Sequence, residues 1–166
     1  MKNTQRFISV LVVAALAGLS INTNAQTAVK RFGSEKSIIA SAIWAGDTLY
    51  VSGQLPAATV PTDPAKGTKA IIEGDTKAQT INTLNVIQNI LKEQGLGMGD
   101  IVQMRVYLVP DMITGKLDFA GMNEAYKQFF GTKEQPNKPV RATIQAGALV
   151  VPNALVEIEV VAIKSK

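Results

Sequence analysis

The chain has no cysteine and no histidine. Without cysteine there are no disulfides and no thiol nucleophile. Zinc sites built on His or Cys are excluded. So are the Ser-His-Asp and Cys-His routes to nucleophilic catalysis, which removes most common hydrolase mechanisms. Neither sign of charge dominates. Seventeen Lys and Arg against 13 Asp and Glu give a formal net charge of +4. Two of the basic residues, Lys2 and Arg6, fall in a segment expected to be removed. The remaining excess gives no argument for a nucleic-acid partner. No apolar run is long enough to span a bilayer comfortably, since a spanning helix takes about 20 apolar residues.

The N-terminal run carries a different signal. Lys2 and Arg6 precede residues 7–19, which are almost all apolar or small. Thr23-Asn24-Ala25 then places small residues at the two positions a signal peptidase reads. Residues 1–25 are therefore expected to be a Sec-type signal peptide, cleaved after Ala25. No Cys follows to take a lipid anchor, and no Arg pair precedes the run to direct twin-Arg export. The expected product is a periplasmic or secreted protein with no membrane attachment after signal removal. Residues 26–166 are expected to form a single domain with room for a real core.

Residues 26–37 are polar and read as a flexible lead-in. Residues 38–45 and 49–54 read as strands joined by the turn Ala45-Gly46-Asp47-Thr48. Residues 55–75 are rich in Pro, Gly, Thr and Ala and read as a long loop punctuated by Pro56, Pro61 and Pro64. Asp75 is placed to cap a helix running to Gln94, with Gly95 as its stop. Thr80, Leu84, Ile87, Ile90 and Leu91 share one face of it, with Asn82, Asn85, Asn89, Lys92 and Glu93 opposite. Residues 101–109 read as the next strand, with Val102, Met104, Val106 and Leu108 on one face. A second helix is expected over 117–130, with Phe119, Met122, Tyr126, Phe129 and Phe130 as its buried stripe.

The last thirty residues are the richest. Pro139-Val140-Arg141 opens one strand and Val156-Glu157-Ile158-Glu159 lies in the next. Both alternate, so side chains two apart share a face. Val140, Ala142, Ile144 and Ala146 make one side of the first, and Arg141, Thr143 and Gln145 the other. In the second, Val156, Ile158, Val160 and Ala162 form the apolar side, with Glu157 and Glu159 opposite. A guanidinium and a carboxylate on paired strands suit a small carboxylated ligand. Arg clamps a carboxylate with two parallel hydrogen bonds, and Glu can orient or deprotonate a water beside it. The plainer reading is a cross-strand ion pair of Arg141 with Glu157 or Glu159, worth little. The order β-β-α-β-α-β-β, with both helices on one face of a mixed sheet, predicts a two-layer α+β fold.

Five segments together resemble the RidA family, also called YjgF or L-PSP endoribonuclease. They are Leu49-Tyr50-Val51-Ser52-Gly53-Gln54, Gly99-Asp100-Ile101-Val102, Met122-Asn123-Glu124-Ala125-Tyr126 with Phe129-Phe130, Pro139-Val140-Arg141, and Val156-Glu157-Ile158-Glu159. The resemblance covers roughly residues 42–164. It implies a chorismate-mutase-like fold assembled as a homotrimer, with ligand clefts between subunits. It also implies hydrolysis of reactive enamines and imines such as 2-aminoacrylate, giving a 2-keto acid and ammonia without a cofactor or metal. The family's essential Arg aligns with Arg141, which would bind the substrate carboxylate, and its Glu with Glu157, which would position water. Its cleft Ser and Asn align with Ser52 and Asn123. The family usually carries Tyr where this chain has Ile39 and often Cys where it has Thr143, a residue that can still donate a hydrogen bond. There is one extra residue between Arg141 and Glu157, and the loop 56–75 is longer than usual.

Each aligned residue also has a plainer reading. Asn123 falls inside the apolar stripe of the second helix and suits a core polar group capping a carbonyl. Ser52 suits a turn hydroxyl. Tyr126, Phe129 and Phe130 read as core. At the level of function, a non-catalytic module holding small carboxylic acids on the same Arg stands beside the deaminase. Endoribonuclease activity has little support, with no His, no basic run and little net charge.

Overall fold

The computed structural model describes residues 27–59, 65, 67 and 71–164. The expected signal peptide with its cleavage point after Ala25, together with Pro61 and Pro64 of the long loop, lies outside the described residues. Six strands form one mixed sheet in the order β1-β2-β3-β6-β4-β5. They are β1 (Val29–Phe32), β2 (Ala42–Ala45), β3 (Thr48–Gln54), β4 (Ile101–Leu108), β5 (Val140–Gln145) and β6 (Val156–Ile163). Helix α1 (Thr76–Glu93) joins β3 to β4, and α2 (Phe119–Tyr126) joins β4 to β5.

The expected lead-in contributes β1, a strand the sequence reading does not anticipate. It pairs antiparallel with β2, from Val29 opposite Ala45 to Phe32 opposite Ala42. Lys30, Arg31 and the edge position hide it, because an edge strand needs only one apolar residue to anchor it. Phe32 is that residue and packs against the core. The hairpin β2-β3 turns on Gly46-Asp47 as expected, with Gly46 at φ 62°. The first expected strand starts later than its pattern suggests. Residues 38–41 form bends, and Ile38 and Ile39 lie exposed there.

Helix α1 matches its expected limits. The Asp75 carboxylate accepts from the Ala78 N–H at 2.8 Å, and Gly95 takes φ 73° past the C-terminus. Leu84, Ile87 and Leu91 are fully buried, so truncating any of them to Ala costs about 2–5 kcal/mol. They share one cluster with Leu49, Val51, Met104, Val106, Leu108, Met122, Phe130, Val156, Ile158 and Val160. Both helices thus cover the same face of the sheet, and the other face is open.

Three local expectations change. In β4 the register against β6 shifts between Ile101 and Gln103. That bulge turns Ile101 inward and leaves Val102 40% exposed, although alternation puts Val102 in the core. Helix α2 is shorter than expected and begins at Phe119, capped by the Asp118 carboxylate on the Gly121 N–H. Phe119 therefore stands at its exposed first turn, while Met122, Ala125 and Phe130 fill the core. In β5 the faces are reversed. Arg141 and Thr143 lie opposite Met104 and Val106 on the helix-covered side, and Val140 and Ile144 are exposed on the open side.

The last two strands are not neighbours. β5 pairs parallel with β4, as a strand-helix-strand crossover requires. β6 runs antiparallel between β3 and β4. The result is a chorismate-mutase-like α+β fold: a mixed sheet with two helices on one face.

Candidate functional site

Arg141 sits near the start of β5 and reaches under α2. Its Nη2 donates to Asn123 Oδ1 at 2.7 Å, and its Nη1 points at the Met122 sulfur at 3.6 Å. The guanidinium carbon lies 4.5 Å from the centre of the Tyr126 ring. That ring stacks in turn on Phe130, with centroids 4.6 Å apart and an interplanar angle of 22°. All these partners are neutral. The cross-strand ion pair does not form, because β4 lies between β5 and β6 and Arg141 faces the other side of the sheet; Glu159 pairs with Arg105 on β4 instead. Arg141 is thus a half-buried cation without a carboxylate among the described residues. Burying a charge without a counter-charge is costly, so a guanidinium in this setting can accept an anion favourably.

Helix α2 makes this arrangement. Met122, Asn123 and Tyr126 lie at spacings that place them on adjacent rows of one helix surface. The Asn123 side chain also donates to Phe119 O at 3.0 Å, which fixes its amide with the oxygen toward Arg141. Thr143 follows Arg141 on the same face of β5. Its hydroxyl is buried and has no hydrogen-bond partner among the described residues. Burial pushes the Tyr126 phenol above its ordinary pKa, and the nearby Arg141 charge opposes that only in part.

Glu157 belongs to the other face. It stands opposite Tyr107 on the open side of the sheet, half-buried and without a hydrogen bond or ion pair among the described residues. Its carboxylate lies against Gly53, where a Cβ would fall 2.1 Å from Glu157 Oε1. Only glycine leaves that space. The pairing of β3 with β6 shifts between Val51 and Gln54, and this irregularity holds Ser52 and Gly53 off the regular ladder. Ser52 donates its hydroxyl to Ala40 O at 2.7 Å, and its N–H bonds Ser41 O at 3.0 Å. It ties the 38–41 bend, with Ile39, to the end of β3. A shallow 170 Å³ depression beside it is lined by Ile43, Tyr50, Ser52, Gln103, Arg105 and Glu159. Neither Arg141 nor Glu157 lines it.

The five predicted residues therefore separate into two groups. Arg141, Asn123 and Thr143 stand together on the helix-covered side. Glu157 and Ser52 stand on the open side. Strands β5 and β6 are separated by β4, about 10 Å across the sheet, and the two side chains project in opposite directions. One small ligand cannot touch Arg141 and Glu157 of the same chain.

Two contributors escape sequence reading. Gly53 makes room for Glu157, and a glycine beside a bulged strand end is the only trace it leaves. Gln79, 2% exposed inside α1, donates to Gly74 O and Asn153 O and accepts from the Leu155 N–H at 2.8 Å. It pins the chain immediately before β6 and so sets where Glu157 begins. Among the described residues no group of three or more His, Cys, Asp or Glu is placed to hold a metal ion. Nor is any helix there long and apolar enough to cross a membrane.

The family model for endoribonuclease L-PSP matches residues 31–164. The chain belongs to this family. Among relatives, it is 38% identical to a RutC family protein of Pyrococcus horikoshii over 123 residues, 74% of this chain and 84% of that one. It is 34% identical over 120 residues to TdcF of Escherichia coli, whose name assigns it only provisionally as a reactive intermediate deaminase. That match covers 72% of this chain and 81% of TdcF. Among solved structures, a YjgF family member from Neisseria meningitidis superposes with a TM-score of 0.63 at 25% identity. It covers 85% of this chain and 98% of its own. The family membership accounts for the order of the five segments that carry the resemblance.

Proposed function

We propose that the protein hydrolyses reactive 2-enamine and 2-imino acids to 2-keto acids and ammonia, in a cleft completed by two copies of the chain. The observation that carries this reading is Arg141, a half-buried guanidinium held only by neutral groups. It is suited to a single carboxylate. Membership of the family and the name of TdcF support the reaction class.

The chemistry needs little more. The 2-imino acid has an electrophilic C2 beside its carboxylate. Arg141 binds the carboxylate by charge-assisted hydrogen bonds and fixes where C2 lies. The buried Thr143 hydroxyl is a further donor toward the same ligand. Glu157, without a partner among the described residues, accepts a hydrogen bond from the attacking water and takes its proton as oxygen adds to C2. The proton passes to nitrogen, the carbinolamine collapses, and the C–N bond breaks. One water is consumed, and ammonia and the keto acid leave. An enamine enters the same route after protonation at C3.

The opposed directions of Arg141 and Glu157 support a site shared between copies. A face bearing Arg141 on one copy would meet the open face bearing Glu157 and Ser52 on the next. Two different surfaces meeting in this way close into a ring, which fits a homotrimer. Exposed apolar residues on the open side, Tyr50, Val140, Ile144 and Ile163, are the surface such packing would cover. We further propose export by the N-terminal signal, with residues 26–166 as the working protein in the periplasm or outside the cell. No nucleic acid enters this account.

The test is imine hydrolysis by residues 26–166. An amino-acid oxidase generates 2-iminopropionate, and semicarbazide traps what survives. Loss of trapped imine with wild type, and its return with Arg141→Ala, supports the reaction. Full trapping in the presence of a folded assembly rejects it. One observation favours a binding module instead: Ile39, beside the Ser52 tie, is exposed and offers no hydroxyl to the open-face half. Titration of a small keto acid without turnover would select that reading.

A further inference from the structure

Tyr126 reads as a core aromatic in the sequence, yet the structure gives it a second neighbour. One side of its ring meets Phe130, which is 3% exposed and fixed in the core. The Arg141 guanidinium lies over the ring at 4.5 Å. Tyr126 thus touches both a ring fixed in the core and the guanidinium. An arginine on an edge strand would otherwise sample many rotamers. Contact with the ring restricts where the guanidinium lies, and the hydrogen bond from Nη2 to the Asn123 oxygen restricts its rotation. Neither partner neutralises the charge. The ring offers only the negative face of its quadrupole, and the amide only a dipole. The remaining N–H groups stay available in one plane, the geometry a carboxylate needs for two parallel hydrogen bonds.

We propose that Tyr126 is a positioning residue for ligand binding, acting through its ring on the placement of the Arg141 guanidinium. The inference rests on the reading of Arg141 as the carboxylate anchor. It assigns to the ring a role that the phenol oxygen does not share. Binding of the carboxylate is pre-organised by this contact, so removing the ring weakens binding while leaving the chemical step alone.

The experiment replaces Tyr126 by Phe, by Leu, and by mono-, di- and trifluorinated phenylalanine in the full assembly. Fluorination withdraws charge from the ring face with little change in shape. It separates the cation-ring attraction from packing and does not depend on whether Tyr126→Leu folds. KM for 2-iminopropionate and Kd for 2-oxobutyrate, the latter by calorimetry, are measured with kcat and the unfolding midpoint. Tyr126→Phe is expected to bind as wild type does. Affinity should then fall stepwise with each fluorine, and Tyr126→Leu should raise KM and Kd about tenfold with kcat within about twofold. Flat affinity across the fluorinated series overturns the proposal, as does a loss in kcat alone. Arg141→Ala runs in parallel. If it abolishes binding while the Tyr126 series is flat, only the positioning role fails. If Arg141→Ala binds and turns over normally, the anchor reading fails, and the Tyr126 role with it.

Discussion

The two halves of the proposed site are built by different means. The Arg141 half is assembled on the covered side, where α2 lays a thioether, an amide and an aromatic ring on a strand that carries charge inward. Its geometry is held by hydrogen bonding and stacking around one cation. The Glu157 half lies on the open side and is held by absence. A missing side chain at Gly53 gives the carboxylate its place, and no group among the described residues bonds it. The first half is pre-organised within one chain. In the proposed assembly a neighbouring copy completes the second. A functional group can therefore be fixed by what touches it or by what leaves it room, and the two kinds should respond differently to mutation.

The largest effect is expected from Arg141→Ala, which removes the anchor itself. Its kcat/KM should drop by about a thousandfold in a steady-state assay, with little change in the unfolding midpoint because the residue sits on an edge strand. Asn123→Asp sharpens the contrast. It keeps the accepting oxygen but supplies the carboxylate that the native seat lacks, so Arg141 is neutralised internally. Activity should fall about a hundredfold while thermal stability holds or rises, since a half-buried cation gains a partner. An unchanged affinity for 2-oxobutyrate in that variant would count against a charge-driven anchor.

Gly53→Ala addresses the other half. The added methyl displaces the flexible Glu157 carboxylate, and kcat should fall about tenfold with KM nearly constant, the reverse of the Tyr126 series. Thr143→Val removes an unpartnered buried hydroxyl. Stability should stay level or rise slightly, with a loss of about threefold in kcat/KM if the hydroxyl meets the ligand.

The smallest effect belongs to Lys77→Met, remote from both halves. Lys77 Nζ on α1 and Glu124 Oε2 on α2 are 2.7 Å apart, with both side chains exposed. Their hydrogen bond raises the lysine pKa and lowers that of the carboxyl. The contribution of Glu124 is present above its unfolded pKa and is lost as the pH falls through its lowered folded value. That of Lys77 is present below its unfolded pKa and is lost as the pH rises through its raised folded value. Any difference in midpoint from wild type should therefore vanish at both extremes of pH. At neutrality it should not exceed about 2 °C, with activity unchanged.

Much of this was legible along the chain. The Asp75 cap, the Gly95 stop and the apolar rows of α1 are local signals, and they place the helix to the residue. The alternation in β6 puts Glu157 on the open side correctly. Non-local pairing was not legible. Nothing in the last thirty residues says that β6 inserts between β3 and β4, or that β4 separates the two strands carrying Arg141 and Glu157. Alternation alone also misleads for β5. Its apolar residues Val140 and Ile144 face outward on the open side, and its arginine faces inward beneath α2. The role of Tyr126 was hidden for the same reason, since a ring that packs on Phe130 and one that also carries a cation look alike in sequence. Family resemblance supplied the site residues. It did not reveal that one chain holds them on opposite faces.

The most direct test of that division is subunit complementation. Arg141→Ala and Glu157→Ala variants, each inactive alone, are unfolded together in equal amounts, refolded, and assayed for imine hydrolysis. If each site takes Arg141 from one copy and Glu157 from the next around a three-fold ring, the mixture should recover about a quarter of wild-type activity. No recovery from a mixture shown by native mass spectrometry to contain hybrid assemblies would contradict the shared site.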